Sequence, residues 1–270
     1  MRYLRPFCHM RFRFPTLRRL LCVGLLLLLV VPTVEAQRKK VGVVLSGGGA
    51  KGVAHIGVLQ VLEKAGIPVD VIVGTSMGSI VGGLYAIGYS ADQLDSLVRV
   101  QDWMFLLSDK VNRYDLPFGE KEQDGKYLLS LPFDRGKKRP SGFISGQNVY
   151  NLFSDLTIGY HDSLDFLQLP IPFACVAADM FHREEIVMKG GYLVQAMRAS
   201  MAIPGVFTPV RTGNRVLVDG GILNNFPTDV ARELGAEIVI GVDVQADLMK
   251  EDKLESVSGV IPQIINLLCM

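Results

Sequence analysis

A serine in a motif flanked by two glycines is the candidate nucleophile of this sequence. Ser76 lies in the pentapeptide GTSMG at 74–78, directly after the β-branched run at 69–73 and directly before a stretch with helical spacing. In a G-x-S-x-G turn between a strand and a helix, the flanking glycines allow a bend too sharp for side chains, and the hydroxyl points into the cleft. The helix that follows adds a positive dipole and the free main-chain amide of Met77. The pattern predicts a nucleophilic Ser76, with a capping serine in a glycine-rich turn as the alternative.

The base that a serine hydroxyl needs is not supplied by an obvious histidine. The chain has histidines at positions 9, 55, 161 and 182. An α/β-hydrolase triad runs in the order serine, acid, histidine, and His182 with Asp179 would keep that order. An acid and a base three residues apart could hardly form a relay that reaches Ser76. The usual triad is therefore a poor fit, and carboxylates remain as candidate bases.

Asp219 is the carboxylate with the most suitable surroundings. It ends a strand-like run and is followed by Gly220 and Gly221, which let the backbone approach whatever the carboxylate faces. The carboxyl ends of parallel strands collect at one edge of a sheet, where binding crevices form. Because Ser76 and Asp219 both follow strands, we expect both at that edge, where Asp219 could accept the hydroxyl proton directly. A turn-capping aspartate before glycines is the alternative.

The octapeptide LSGGGAKG at 45–52 is a glycine loop that could bind an anion of either of two kinds. Gly47, Gly49 and Gly52 match the G-x-G-x-x-G turn that holds a dinucleotide pyrophosphate, which would indicate an NAD-binding oxidoreductase. The same amides could instead hold the oxyanion of an acyl-transfer reaction. The dinucleotide fold needs an acidic residue at the end of the second strand, whereas Asp70 begins the run at 69–73. This placement favours the oxyanion.

Short β-branched runs and helical stretches alternate between these motifs. Strands are expected at Val41–Leu45, 69–73, 172–178, 185–188, 216–218 and Ile238–Val242. Helices are expected at 50–65, 77–87 and 146–156, with Ser90 as the N-cap of another. Such an alternation is typical of an α/β fold with a mostly parallel central sheet flanked by helices.

The first 36 residues have the pattern of an export signal. Six arginines precede an unbroken apolar run at 20–31, and VEA at 34–36 precedes Gln37 as at a signal-peptidase site. The run is shorter than the roughly 20 residues that span a bilayer. We therefore expect a cleaved signal over 1–36, with an uncleaved anchor as the alternative. Residues 37–270 would form one exported domain, in the periplasm, at the outer membrane or secreted.

The composition excludes several other classes of protein. Without residues 1–36, the chain keeps 22 basic and 26 acidic side chains, a net charge of −4. This balance lacks the basic excess of a nucleic-acid-binding protein. Only Cys175 and Cys269 remain, so no disulfide framework is expected, and Cys175 lies in an apolar run typical of a core. No convincing cluster of metal ligands is found, and no metal is expected.

Regular patterning fades between residues 103 and 140. This segment mixes Gly, Pro and charge, and includes a basic cluster at 135–139. A solvated excursion from the sheet is the simpler interpretation, with a cap over the active site as the alternative. The tail at 257–270, VSGVIPQIINLLCM, has apolar helical spacing without a polar finish, so we expect it to be truncated or packed against a partner.

Three motifs in order, GGGAKG at 47–52, GTSMG at 74–78 and DGG at 219–221, resemble the signatures of patatin-like phospholipases. The block ASMAIPGVFTP at 199–209 is also similar to one that this family carries upstream of its aspartate. The resemblance covers roughly residues 41–245. It implies a three-layer α/β fold and hydrolysis of acyl esters in phospholipids or lysophospholipids at a membrane surface, without a cofactor.

The family uses a Ser–Asp dyad, so the resemblance implies Ser76 as nucleophile and Asp219 as base, and the missing late histidine becomes expected. The implied oxyanion donors are the amides of Gly47, Gly48, Gly49 and Met77. The implied supporting residues are Lys51, Gly52, Gly74, Gly78, Gly220 and Gly221. Lys51 would hold the loop or favour an anionic substrate. A non-catalytic lipid-binding module on the same scaffold is the remaining alternative, and the presence of both Ser76 and Asp219 argues against it.

Overall fold

A computed structural model describes residues 38–111 and 142–245, together with Gln263. Its strands are β1 (Val41–Leu45), β2 (Val71–Thr75), β3 (Gly142–Ile144), β4 (Leu164–Asp165), β5 (Phe173–Asp179), β6 (Glu184–Met188), β7 (Gly190–Gly191), β8 (Gly205–Phe207), β9 (Val210–Thr212), β10 (Arg215–Asp219) and β11 (Ile238–Val242). Its α-helices are α1 (Ala54–Lys64), α2 (Met77–Ala86), α3 (Ala91–Val100), α4 (Trp103–Leu106), α5 (Gln147–Leu156), α6 (Leu193–Ser200) and α7 (Thr228–Glu233).

Seven of these strands form the central sheet, in the order β11-β1-β2-β5-β10-β9, with β6 also paired to β5. Strands β11, β1, β2 and β5 run parallel. Strands β6 and β10 run antiparallel to β5, and β9 runs antiparallel to β10. The expected mostly parallel central sheet is therefore confirmed. Strands β6, β10 and β9 extend it beyond β5 through antiparallel pairs.

Strands β1, β2 and β5 are buried on both faces, which is why they read as continuous apolar runs. All five residues of β1 are buried. Val43 and Leu45 belong to a core formed with α1, α2 and α6, whereas Val44 belongs to a second core formed with α7. Alternate residues of a strand point to opposite faces, so the sheet lies between two helical layers. This is the expected three-layer arrangement.

Asp219 reaches the edge of the sheet in a different way from the one expected for parallel strands. Because β10 runs antiparallel to β5, the expectation that Asp219 ends a strand parallel to β2 is wrong in direction. Strand β2 ends at Thr75 opposite Val176, and β10 ends at Asp219 opposite Ala177. Strand β6 pairs along the other side of β5, so β2 and β10 share one side of it and meet end to end. The carboxyl ends of two opposed strands bring Ser76 and Asp219 together.

Several element boundaries differ from those expected. Strand β2 begins at Val71 rather than at residue 69, because Asp70 uses its N–H and its carboxylate to bond the main chain of Val41. Helices α6 and α7 and the single turn α4 were not expected. The N-cap at Ser90 is confirmed, since Ser90 and Gln93 bond each other's main-chain N–H through their side chains.

Some expectations fall on residues that the structure does not describe. The export signal at 1–36, the basic cluster at 135–139 and the tail at 257–270, apart from Gln263, lie outside the described residues. In the part of the chain that is described, no helix is both long enough and apolar enough to cross a membrane.

Candidate active site

Ser76 occupies a sharp turn between β2 and α2. Its backbone has φ 52° and ψ −120°, a left-handed conformation that side-chain-bearing residues rarely adopt. A Cβ at Gly74 would collide with the carbonyl oxygen of Gly78, and a Cβ at Gly78 would collide with that of Leu45. The turn therefore requires glycine at both flanking positions, as the pentapeptide predicts. Such strain costs about 1–3 kcal/mol and is typical of functional sites.

The strained turn is anchored by Ser200, which sequence reasoning did not single out. The main-chain N–H of Ser76 donates to Ser200 Oγ at 2.9 Å, and Ser200 Oγ donates to the carbonyl oxygen of Val176 at 2.6 Å. Ser200 is the last residue of α6 and is fully buried. The only signal for it in the sequence is its position in the block at 199–209. It joins α6, β5 and the nucleophile turn.

Ser76 and Asp219 are in direct contact. Ser76 Oγ donates a hydrogen bond to Asp219 Oδ2 at 2.6 Å, across 143 positions of sequence. The other carboxylate oxygen, Oδ1, accepts from the N–H of Gly221 at 2.8 Å. A Cβ at Gly220 would collide with the carbonyl oxygen of Val176, so glycine there allows the chain after Asp219 to lie against β5. The sequence-predicted serine and aspartate are thus brought together, with their supporting glycines in tight turns.

The environment of Asp219 makes it a better proton acceptor than an ordinary aspartate. Its side chain is only 2% exposed. Burial disfavours the charged form and raises the pKa of Asp219 to about 6, although the hydrogen bonds from Ser76 and Gly221 act in the opposite direction. A carboxylate with a pKa near 6 is ionised at neutral pH and closer to a hydroxyl in proton affinity. This is the tuning that a general base requires.

The glycine loop lies beside the nucleophile, but the main-chain amides of Gly47, Gly48 and Gly49 are not all free to bind an oxyanion. A Cβ at Gly47 would lie 3.2 Å from Ser76 Cβ. The N–H of Gly47 donates to the main-chain oxygen of Asn225 at 3.2 Å, so this amide is engaged and is not free for an oxyanion. Among the described residues, no acceptor bonds the N–H of Gly48 or Gly49. The oxyanion role expected for Gly47 is therefore corrected, while that of its two neighbours stays a prediction.

Two further predicted residues of the loop are Gly52, which packs against Met77 of α2, and Lys51, which is exposed. A Cβ at Gly52 would collide with the side chain of Met77, so this glycine lets the loop pack on the first turn of α2. Lys51 is exposed, and its N–H donates to the carbonyl oxygen of Gly48 at 3.1 Å. Lys51 thus helps to shape the loop through its main chain.

His55 bonds the main chain next to the glycine loop. It is fully buried, and its Nε2 bonds the carbonyl oxygen of Ser46 at 2.8 Å. Burial lowers the pKa of His55, so the ring is neutral and Nε2–H is the donor. His55 is therefore a packed residue that bonds the main chain of the loop.

His182 bonds Asp179 and takes no part in the contact between Ser76 and Asp219. His182 Nδ1 lies 2.6 Å from Asp179 Oδ2. In the described part of the chain, these two residues and Glu184 are the group whose side chains could hold a metal ion. Glu184 already pairs with Arg215 at 3.2 Å, and Asp179 Oδ1 accepts from two main-chain amides. Side-chain atoms of this group that could hold a metal ion are thus already bonded to other protein groups.

The position of Asp70 contradicts the dinucleotide interpretation. Its carboxylate accepts from the N–H of Val41 at 2.7 Å. Val41 and Asp70 lie at the amino ends of β1 and β2, whereas the glycine loop follows the carboxyl end of β1. An acidic residue that binds a ribose must lie near the loop, and Asp70 is at the opposite edge of the sheet.

An apolar cavity begins next to the nucleophile turn. Its wall is almost entirely apolar and is formed by side chains of α1 to α5, of the residues next to these helices and of Met201; among them are Met77, Ile80, Leu97, Trp103, Leu107 and Phe153. Met77 directly follows Ser76, so the cavity lies beside the dyad. Its volume is about 80 Å³, and its apolar walls suit a short hydrocarbon segment.

Comparisons with known proteins agree with this arrangement. The family model described as patatin-like phospholipase matches residues 43–232. The chain is 34% identical over 206 residues to patatin-like phospholipase domain-containing protein 6 of Homo sapiens, covering 76% of this chain and 13% of that protein. It is also 34% identical over 226 residues to a lysophospholipase of Cryptococcus neoformans, covering 82% of this chain and 12% of that protein. The chain therefore spans about an eighth of the length of these relatives.

Among solved structures, VipD from Legionella pneumophila is similar, with a TM-score of 0.49 and 18% identity over 76% of this chain and 49% of that one. The type III effector ExoU has a TM-score of 0.40 and 20% identity over 86% of this chain and 52% of that one. The family model covers more than two thirds of the chain, and the three motifs that it contains surround one buried serine–aspartate pair. This chain belongs to the patatin-like phospholipase family.

Proposed function

We propose that this chain is a serine lipid acyl hydrolase of the phospholipase A or lysophospholipase type, with Ser76 as nucleophile and Asp219 as base. The observation that carries the proposal is the 2.6 Å hydrogen bond from Ser76 Oγ to the buried Asp219 carboxylate. A strained serine paired with a carboxylate of raised pKa is an activated nucleophile. The relatives named as phospholipase and lysophospholipase point to ester-linked lipid as the substrate.

The first half of the reaction would acylate the serine. Ser76 Oγ attacks the ester carbonyl carbon while its proton passes to Asp219 Oδ2, and the carbonyl electron pair moves onto oxygen. The amides of Gly48, Gly49 and Met77 would donate to this oxyanion, where the loss of one donor costs about 10²–10³ in rate. The intermediate then expels the alcohol, which leaves as lysolipid or glycerol derivative with the proton from Asp219.

The second half would release the fatty acid. Water attacks the acyl carbonyl while Asp219 takes one of its protons, and collapse of the second intermediate breaks the bond to Ser76 Oγ. The proton returns from Asp219 to Ser76, which regenerates the dyad. Both halves use the same base and the same oxyanion donors.

The apolar cavity beside Met77 supports a substrate with a hydrocarbon part, of which it could enclose a short segment. Burial of a hydrocarbon contributes about 0.8 kcal/mol per methylene. The part of the chain inside the cavity would contact side chains such as Ile80, Leu97 and Phe153. Binding energy from the chain would therefore hold the ester at the dyad.

We further propose that the segment around α4 contacts the membrane surface. Five large apolar side chains here are exposed: Val100, Trp103, Met104, Leu107 and Val111. Trp103 and Leu107 also line the apolar cavity, so the exposed patch is continuous with the proposed acyl site. Met104 is 84% exposed, and apolar side chains of this kind insert into the interfacial region of a bilayer.

Vesicle sedimentation tests this surface. In a Ser76→Ala background, Met104→Asp should weaken binding to phosphatidylcholine–phosphatidylglycerol vesicles about tenfold, because a carboxylate replaces an inserted side chain. Val61→Asp is the matched control, since Val61 is 63% exposed on α1 and outside the patch. Equal loss in both variants would contradict the proposed surface.

We also propose that residues 1–36 direct export, on the basis of the arginine-rich start and the apolar run. Expression of the full chain in a Gram-negative host should give a periplasmic or membrane-bound product that begins at Gln37. A cytosolic product that keeps its first residues would contradict this proposal.

The decisive test of the activity combines covalent labelling with product analysis. A fluorophosphonate probe should label Ser76 in the wild type, and a defined diacyl phospholipid or lysophospholipid should release fatty acid. Ser76→Ala should lose both, whereas Ser96→Ala, which removes an exposed hydroxyl on α3, should keep both. Labelling at another serine, or fatty-acid release by Ser76→Ala, would contradict the proposed function.

A further inference from the structure

Asn225 holds Gly47 of the glycine loop from several directions. Its main-chain oxygen accepts from the N–H of Gly47 at 3.2 Å, and its side-chain Nδ2 donates to the carbonyl oxygen of Gly47 at 3.5 Å. Its Oδ1 faces the α-carbon of Gly47 so closely that a Cβ there would overlap it. Asn225 is 6% exposed, and Gly47 is therefore enclosed by one residue that lies 178 positions away.

The buried Oδ1 of Asn225 accepts no hydrogen bond from the described residues. A buried acceptor without a donor costs about 1–3 kcal/mol, so the arrangement needs a compensating role. Rotation of the amide by 180° would remove no cost, because Oδ1 would then face the carbonyl oxygen of Gly47, and two acceptors would meet. The close approach of Oδ1 to the Gly47 α-carbon is consistent with a weak C–H···O contact.

The geometry of the peptide unit connects Asn225 to the oxyanion site. In a trans peptide the C=O of one residue and the N–H of the next point in opposite directions, and the described chain has no cis peptide bond. The carbonyl of Gly47 and the N–H of Gly48 belong to the same peptide unit. A donor that holds the Gly47 carbonyl therefore also sets the direction of the Gly48 N–H.

We propose that Asn225 is a positioning residue that orients the Gly47–Gly48 peptide and so aims the Gly48 N–H at the reaction oxyanion. This inference rests on the proposed hydrolase function. Glycine at position 47 is required by the same arrangement, because any side chain there would displace the Asn225 amide and crowd Ser76. Asn225 itself touches neither substrate nor reacting atoms.

The neighbouring Asn224 provides a matched control. Its side chain is directed away from the loop, and its Nδ2 donates to Glu185 Oε1 and Asp229 Oδ1, each at 3.1 Å. The two asparagines are adjacent and of the same type, but only one contacts Gly47 through its side chain. Substitutions at the two positions therefore separate a loop-specific effect from a general effect on this turn.

The experiment compares Asn225→Asp and Asn225→Ala with Asn224→Ala and wild type. Asn225→Asp keeps the side-chain volume but places a carboxylate oxygen against the Gly47 carbonyl, which should rotate the peptide. Both Asn225 variants should lower kcat about 10- to 100-fold, with KM changed less than about threefold, since misorientation of a donor is felt only in the transition state. Asn224→Ala should stay within about twofold of wild type.

A trifluoromethyl ketone analogue of the substrate gives a second readout. Ser76 adds to its carbonyl and forms a hemiketal oxyanion, so its affinity should fall in proportion to kcat/KM in the Asn225 variants. Affinity for the unreactive methylene analogue, which has no oxyanion, should not change. Thermal unfolding of each variant shows that the comparison is made on folded protein.

Each result decides between positioning and other roles. Wild-type kcat and ketone affinity in Asn225→Asp would overturn the inference, and so would loss of methylene-analogue binding or of the fold in that variant, which would make Asn225 purely structural. A wild-type enzyme that hydrolyses no ester and binds neither analogue would instead overturn the proposed function. The two failures are therefore distinguishable.

Discussion

Two buried aspartates on neighbouring strands of the sheet have pKa values that are shifted in opposite directions. Asp219 ends β10 and Asp179 ends β5, and the two strands pair antiparallel. Both carboxyl groups are almost completely inaccessible to solvent. The pKa of Asp219 is raised to about 6, mainly by burial. Burial also raises the pKa of Asp179, but hydrogen bonds from His182 and from main-chain amides more than offset it and bring the value to about 2.

The two carboxylates differ in the number of donors that bond them. Asp219 accepts one hydroxyl and one amide hydrogen bond. Asp179 accepts from the His182 ring and from the amides of Phe181 and Val216. Each additional donor stabilises the charged form, so Asp179 remains a fixed charge, whereas Asp219 can take up a proton. The fold thus separates a structural carboxylate from a basic one within a single strand pair.

The largest expected effect is on turnover. Asp219→Asn should lower kcat/KM by about 10⁴-fold or more, because the amide cannot accept the Ser76 proton. Asp179→Asn should change kcat/KM less than about threefold, since its carboxylate bonds His182 and not the nucleophile. Steady-state hydrolysis of a short-chain ester measures both. A loss of similar size in the two variants would remove the distinction between them.

The next effect is on pH dependence. Only ionised Asp219 can act as a base, so kcat/KM should rise about tenfold per pH unit up to an apparent pKa near 6 and then level off. At pH 4 the rate should therefore be about 100-fold below its plateau. The plateau should not depend on Asp179, whose pKa lies far below this range. A midpoint near 4 in the wild type would mean that burial does not tune Asp219.

The smallest effect is on the free energy of unfolding, and it has opposite signs for the two residues. The native pKa of Asp219 lies above its ordinary value of 3.8, so the native state binds more protons between about pH 4 and 6. Its stabilising contribution is present below this window and is lost as pH rises through 6. Asp219→Asn should therefore raise the unfolding free energy at pH 8 by about 3 kcal/mol.

Asp179 should show the reverse behaviour. Its native pKa lies below the ordinary value, so its contribution is present above about pH 4 and is lost as pH falls towards 2. Asp179→Asn should lower the Tm by a few degrees at pH 7, and this deficit should shrink as the pH falls to 2.5. Denaturant and thermal unfolding of both variants across this range check the signs. Stabilisation by Asp179→Asn at pH 7 would contradict the comparison.

The local parts of the site were predictable because they depend on short patterns. Strands β1 and β11 and the turn around Ser76 follow from apolar runs and from glycines whose missing side chains the turn requires. The pairing of Ser76 with Asp219 was also expected, but from strands running in the same direction. Strand direction is set by tertiary packing, and the run at 216–218 is too short to reveal it.

The residues that hold the site together could not be predicted in the same way. Ser200 acts on Ser76 across 124 positions, and Asn225 acts on Gly47 across 178 positions. No local spacing connects such partners. Helices α6 and α7 were missed because they are short, at eight and six residues, and their apolar residues do not stand out from the neighbouring strands.

The end-to-end meeting of β2 and β10 has a consequence for the order in which the enzyme is made. The ribosome adds Ser76 early, and Asp219, the base proposed for it, follows 143 residues later. Until β10 emerges and pairs with β5, the serine hydroxyl has no partner to accept its proton, whatever else has already folded. A chain that stops before β10 would therefore carry Ser76 without the base proposed for it. The proposed reactivity towards lipid would therefore begin only after β10 has been synthesised.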